Sequence, residues 1–126
     1  NYYCWAVGDK KNVYTGGGQL YGIAADKNTI SIEICSNLKD GYSAMYANHE
    51  GWYFSEAALT NALCLVKYLM LMYDIPKQNV VRHYDISGKL CPAIIGWNDA
   101  TIYDNAGKPT ARKNDSNKWK LFLARL

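Results

Sequence analysis

The sequence predicts an α/β fold, a mixed central sheet flanked by helices, and three observations carry that prediction. Thr29 to Cys35 alternates strictly, with Ile30, Ile32 and Ile34 on one face and Ser31, Glu33 and Cys35 on the other. After Ser55, the residues Leu59, Ala62, Leu63, Val66, Leu69, Met70 and Tyr73 recur at helical spacing. Val80-Val81-Arg82 then forms a short β-branched run, so strand and helix alternate along the chain. A length of 126 residues with 49% hydrophobic content suits one packed domain, 1–126, with one core.

The elements follow in order. Gly16-Gly17-Gly18 marks a flexible loop, and Asp26-Lys27-Asn28 a turn before the alternating strand. Residues 37 to 54 read as a loop, with a turn at Lys39-Asp40-Gly41. Ser55 is the expected N-cap of the long helix, and Glu56 suits its positive N-terminal end. Ile75-Pro76 stops that helix, and Val80 to Arg82 leads as a strand into a loop. Trp97 to Ile102 is expected to hold a short helical turn, and residues 104 to 115 are turn-rich. Ser116 is expected to cap a last amphipathic helix with Trp119, Phe122, Leu123 and Leu126 along one stripe.

Composition narrows the function. A formal net charge of +3 is too small to argue for nucleic acid. Residues 106 to 126 hold six Lys/Arg against Asp115 alone, and a solvated helix face is the expected reason. No apolar run approaches the roughly 18–20 residues that span a bilayer, and residues 1 to 8 have no signal-peptide pattern. Eleven Tyr and four Trp against two Phe suit a surface that meets sugars or peptides. Cys4, Cys35, Cys64 and Cys91 include no C-x-x-C pair, which removes zinc-ribbon and thioredoxin readings. Cys64 is expected on the buried face of the long helix, and Cys4 and Cys35 would pair only if they lie on adjacent strands.

The chemistry concentrates between Arg82 and Pro92. His83 follows a short strand and is expected to be held by a rigid element; Cys91, eight residues on, is a soft anionic donor once deprotonated. Gly88 frees the backbone to turn, and Pro92 shapes the exit. Lys89 beside a metal would stabilise the oxyanion formed when an amide carbonyl is attacked. A single His with a single Cys is weak evidence of metal, because a catalytic zinc ordinarily takes three protein ligands and a water.

The run Arg82-His83-Tyr84-Asp85-Ile86-Ser87-Gly88-Lys89-Leu90-Cys91-Pro92 closely resembles the signature of the zinc-dependent N-acetylmuramoyl-L-alanine amidases of the type 2 family, which includes amidase-type phage lysozymes and peptidoglycan recognition proteins. Tyr3 to Asp9 is similar to the family's tryptophan-glycine segment, Asn28 to Ile34 to its central strand, Trp52 to Ala58 to the opening of its long helix, and Trp119 with Phe122 to its closing helix. The resemblance implies Zn2+ as cofactor, His83 and Cys91 as two of its ligands, Lys89 as the lysine that stabilises the transition state and Glu33 as a proton acceptor. It implies bacterial peptidoglycan as the partner, and a secreted or wall-acting enzyme encoded by phage or bacteria. Trp5, Tyr42, Tyr46 and Trp52 are the candidates to line the substrate groove, with Tyr53 nearby.

Two departures stand out. The family's first zinc ligand is a His at the end of a first strand, followed by a helix and a second strand, and this strand-helix-strand has no counterpart in residues 1–126. His49, in an Asn48-His49-Glu50-Gly51 context, is expected to be a solvated turn residue rather than the missing ligand. Ala6 stands where many relatives have a substrate-holding His. The sequence therefore predicts an amidase domain that is N-terminally incomplete, with three functional readings open: an amidase, a non-catalytic peptidoglycan-binding module, and a zinc-free structural domain. A monomer and a dimer are both compatible with it.

Overall fold

A computed structural model describes residues 6–8, 10–41, 52–92 and 116–126, together with the backbone of 102–103 and 109–110. The described elements are β1 (Asn37–Leu38), β2 (Trp52–Tyr53), α1 (Glu56–Met72), a 3-10 turn (Lys77–Asn79), α2 (His83–Ser87), β3 (Ile102–Tyr103), β4 (Pro109–Thr110) and α3 (Ser116–Ala124). Both helix and strand are present, as the α/β expectation requires.

The long helix forms where its sequence pattern places it. Ser55 is in extended conformation and its hydroxyl accepts from the Ala58 amide at 3.1 Å, a cap worth about 1 kcal/mol. Glu56 occupies the first turn. Ala62, Leu63 and Val66 are buried. Leu63 and Phe122 of α3 form the centre of a small core, with Phe54, Leu59, Trp119 and Leu126 packed around it. Trp119 stacks on Phe122 with ring centroids 5.3 Å apart. Each buried large side chain stabilises by about 1.5–3 kcal/mol, so this cluster is what holds α3 to α1. Lys118 and Lys120 on α3, and Arg125 just beyond its end, are exposed, as expected of a solvated basic face.

Several expectations are corrected. Thr29 to Cys35 and Val80 to Arg82 pair with no strand among the described residues, so the mixed central sheet is not formed among them. The alternation survives only in part and without a ladder: Ser31, Glu33 and Cys35 are exposed and Ile32 and Ile34 half-buried, but Ile30 is exposed as well. Alternation reports which face is sheltered, and a strand also needs a neighbour for its amides. The sheets that do form are two short antiparallel pairs, in registers Asn37 with Tyr53 and Ile102 with Thr110. The first brackets a segment read as loop. Residues 97–101 of the expected helical turn lie outside the described residues, and Ile102 opens β3 instead. Ser116 is the first residue of α3.

Cys64 is exposed rather than buried. At about 100° per residue, position 64 falls on the side of α1 opposite Leu59, Leu63 and Val66. The triple glycine is not a flexible loop. Gly16 and Gly18 have φ of 74° and 81°. A Cβ on Gly17 would lie 2.5 Å from the Tyr84 carbonyl oxygen. These glycines let the chain press against α2. Cys4 lies outside the described residues.

Candidate active site

The segment from Arg82 to Pro92 is held by residues some seventy positions earlier. Tyr84, fully buried, donates its hydroxyl to the Thr15 carbonyl at 2.5 Å. Thr15 in turn donates its hydroxyl to the Gly88 carbonyl at 2.7 Å. Backbone bonds complete the clamp: Asn12 N to Ser87 O at 2.7 Å, Gly18 N to Tyr84 O at 2.9 Å and Leu20 N to Asp85 O at 2.9 Å. Buried backbone groups need such partners, so residues 12–20 act as the second side of the loop.

Locally, His83 opens a five-residue helical turn rather than ending a strand. Arg82 precedes it in extended conformation, and its amide donates to Asp85 Oδ2 at 2.8 Å, satisfying one of the orphan amides of the turn. The Arg82 guanidinium is buried and grips the same carboxylate with two bonds, Nε to Oδ2 at 3.0 Å and Nη2 to Oδ1 at 2.7 Å. It also lies over the rings of Tyr84 and Trp119, at 4.9 and 5.6 Å. Arg82 thus braces the turn through its ion pair with Asp85 and reaches α3 through the Trp119 ring. Gly88 ends the turn in the left-handed region, with φ of 81°. The chain then doubles back, and the Tyr84 amide donates to the Cys91 carbonyl at 3.0 Å.

His83, Lys89, Cys91, Glu33 and Trp52 all line one open cleft of about 1010 Å³. Lys89 and Glu33 are exposed, Cys91 and Trp52 half-buried, and the Nε2 atom of His83 is buried. Trp5, Tyr42, Tyr46 and His49 lie outside the described residues. Tyr53 is exposed and is not among the residues lining the cleft.

One residue that holds the cleft wall from outside carried no signal in the pattern. Asp26, in the turn before the cleft wall, accepts on Oδ1 from the amides of Ala6 at 2.9 Å and Val7 at 2.8 Å. Those bonds, the one from Val7 foremost, hold its carboxyl below the usual range; desolvation opposes this and the charge of His83 adds to it. The sequence showed a turn at Asp26 and nothing of the two amides nineteen and twenty positions back. A carboxyl whose pKa is depressed on folding adds stability above its ordinary value, and this is lost as pH falls through the lowered one. The protection factors of the Ala6 and Val7 amides, which remove the intrinsic pH dependence of exchange, are therefore expected to fall in wild type as pH drops through the lowered carboxyl value. In Asp26→Ala they should be low at every pH, as hydrogen exchange followed by NMR would record.

The donor set decides how far a zinc ion fits. A buried imidazole nitrogen and a half-buried thiol on one cleft wall are suitable soft-to-borderline donors. Among the described residues no three of His, Cys, Asp and Glu gather as a complete site needs. The described residues fit zinc as a two-donor share.

An imidazole, an ammonium, a thiol and a carboxylate thus line one cleft. A family profile described as N-acetylmuramoyl-L-alanine amidase, the type 2 amidases, matches residues 1–94, and the chain belongs to that family. Searches of curated proteins and of solved structures gave no match. Among the described residues no helix is long and apolar enough to cross a membrane.

Proposed function

We propose that this chain is the catalytic domain of a peptidoglycan hydrolase. It cleaves the amide between N-acetylmuramic acid and the L-alanine of the stem peptide, and acts at the bacterial cell wall. The observation that carries this reading is the convergence of His83, Lys89, Cys91 and Glu33 on one cleft in a member of the amidase family. His83 and Cys91 would hold Zn2+, with a third donor from outside the described residues. When bound, the ion supplies Lewis-acid chemistry, polarising the amide carbonyl and making water acidic enough to act near neutral pH.

The residues of this chain have separate tasks. Hydrolysis adds water across the C–N bond: the water oxygen bonds to the carbonyl carbon, the C–N bond breaks and a proton reaches the leaving amine. Glu33 is exposed on the cleft wall, free of any compact ion pair among the described contacts that would hold it elsewhere, and serves as the carrier of that proton. Lys89 places an ammonium where the carbonyl oxygen becomes negative. Trp52 offers an aromatic face to the sugar or stem peptide. The Arg82–Asp85 pair and the Thr15–Tyr84 clamp hold the loop on which His83, Lys89 and Cys91 ride.

Turnover of a muramoyl peptide is expected to fall to background on chelation, with activity restored to the chelated wild type by added zinc, and to stay at background in Cys91→Ser with or without zinc. Activity that survives both treatments would remove the zinc reading. A second reading, a non-catalytic module that binds peptidoglycan, is favoured by the two-donor set among the described residues. It predicts sedimentation with insoluble wall, no release of stem peptide and less than one zinc per chain in metal analysis.

A further inference from the structure

Helix α1 has a second apolar face that the core does not use. Its inner side carries Leu59, Leu63 and Val66. At about 100° per residue, Ala57, Asn61, Cys64, Leu65, Tyr68, Leu71 and Met72 form a stripe on the opposite side. Every one of these is exposed, Tyr68 by 57% and Leu71 by 83%. The whole helix of 17 residues has only two charged residues, Glu56 and Lys67, and neither falls on the stripe. A helix apolar on all sides is ordinarily covered on all sides.

We propose that this face is the interface of a symmetric dimer, in which α1 packs antiparallel against α1 of a second copy. The order of residue sizes along the stripe selects that occupant. Its N-terminal half is small, with Ala57, Asn61 and Cys64, and its C-terminal half is bulky, with Leu65, Tyr68, Leu71 and Met72. A two-fold axis between positions 64 and 65 sets Ala57 against Met72, Asn61 against Tyr68, and Cys64 against Leu65. Each small residue then receives a large one, which is the self-complementarity that an isologous contact demands. A parallel arrangement would set bulk against bulk. The four large side chains expose on the order of 500 Å² per chain, the size of the largest apolar patch on a typical monomer, which is often functional. Complete coverage of the stripe on two copies, small residues included, would bury about 1,000–1,200 Å² together, an upper bound that reaches the roughly 1,000 Å² of a specific interface at its weaker end. The cleft is lined from other elements and from the inner side of α1, so this dimer leaves the site open.

Sedimentation equilibrium of the full chain tests the proposal. The mass is expected to rise from 14.2 kDa toward twice that value across the micromolar range. Tyr68→Glu and Leu71→Glu, each on the exposed stripe, are expected to hold the chain at the monomer mass with wild-type helix content by circular dichroism. A short bismaleimide is expected to join two wild-type chains in the same concentration range and to fail in Cys64→Ser, a reading that does not depend on the glutamate variants folding. A wild-type chain that stays monomeric throughout would overturn the proposal. So would a dimer that both glutamate variants retain, or cross-linking that persists without Cys64.

Discussion

Replacing Lys89 by methionine is expected to lower kcat for a muramoyl peptide by about 10²–10³ while leaving KM within a few-fold, the loss typical when one oxyanion-stabilising donor is removed. The asymmetry follows from when the charge appears. The ground-state amide oxygen is neutral and gains little from an ammonium, whereas the tetrahedral oxyanion gains much, so the effect belongs to the transition state. Lys89 is exposed and Met keeps most of its length, so the thermal midpoint should hardly move. Lys77, exposed on the 3-10 turn and not itself among the residues lining the cleft, is the matched control, and Lys77→Met should retain wild-type kcat. Steady-state kinetics on both variants separate a local role from a general effect of surface charge. Equal losses in the two, or a Lys89→Met enzyme within threefold of wild type, would remove Lys89 from the proposed mechanism.

Replacing Gly88 by alanine is expected to cost about 3–4 kcal/mol of folding stability, enough to lower the melting temperature by roughly 10 °C or more in a chain of this size. Two effects add. The left-handed backbone at φ of 81° disfavours any Cβ by about 1–2 kcal/mol. A Cβ would also sit 2.5 Å from the Asn12 carbonyl oxygen and 2.9 Å from Thr15 Oγ1. The first of these is backbone and cannot rotate away, so residues 12–15 and the turn must separate. Gly22 provides the comparison, since its φ is 80° and nothing lies within 4 Å of its Cβ direction. Gly22→Ala should show the backbone term alone, about 1 kcal/mol. Urea unfolding of the two variants measures the difference. If they lose the same stability, the close approach between the loop and residues 12–15 is not what Gly88 serves. Gly88→Ala should also depress turnover beyond its effect on stability, because Lys89 and Cys91 follow immediately and share the displaced backbone.

The parts of the molecule legible in the sequence are those encoded over one or two turns of chain. Ser55, Glu56 and the apolar spacing after them specify the cap and inner face of α1 through bonds and contacts no more than a few positions apart. The stripe of Trp119, Phe122, Leu123 and Leu126 does the same for α3. The amidase family was legible because an eleven-residue run from Arg82 to Pro92 keeps its residue types together. The strand expectation at Thr29 to Cys35 used the same local logic and failed among the described residues, since a strand is a property of two segments. Cys64 failed for a related reason. Helical spacing marks two apolar faces on α1, and only packing decides which one the core takes.

By itself, then, the sequence determined helices α1 and α3, the turn at Gly88 and the chemical inventory of the candidate site: an imidazole, an ammonium, a thiol and a carboxylate. Tertiary structure alone decided that Thr15 and Tyr84 lock the loop across 69 positions, that Gly17 exists for a close approach rather than for freedom, and that Asp26 captures the amides of Ala6 and Val7. The physical reason is range. Caps, periodicity and left-handed turns are settled by neighbours along the chain, whereas hydrogen bonds across the cleft depend on which distant segments the core brings into contact.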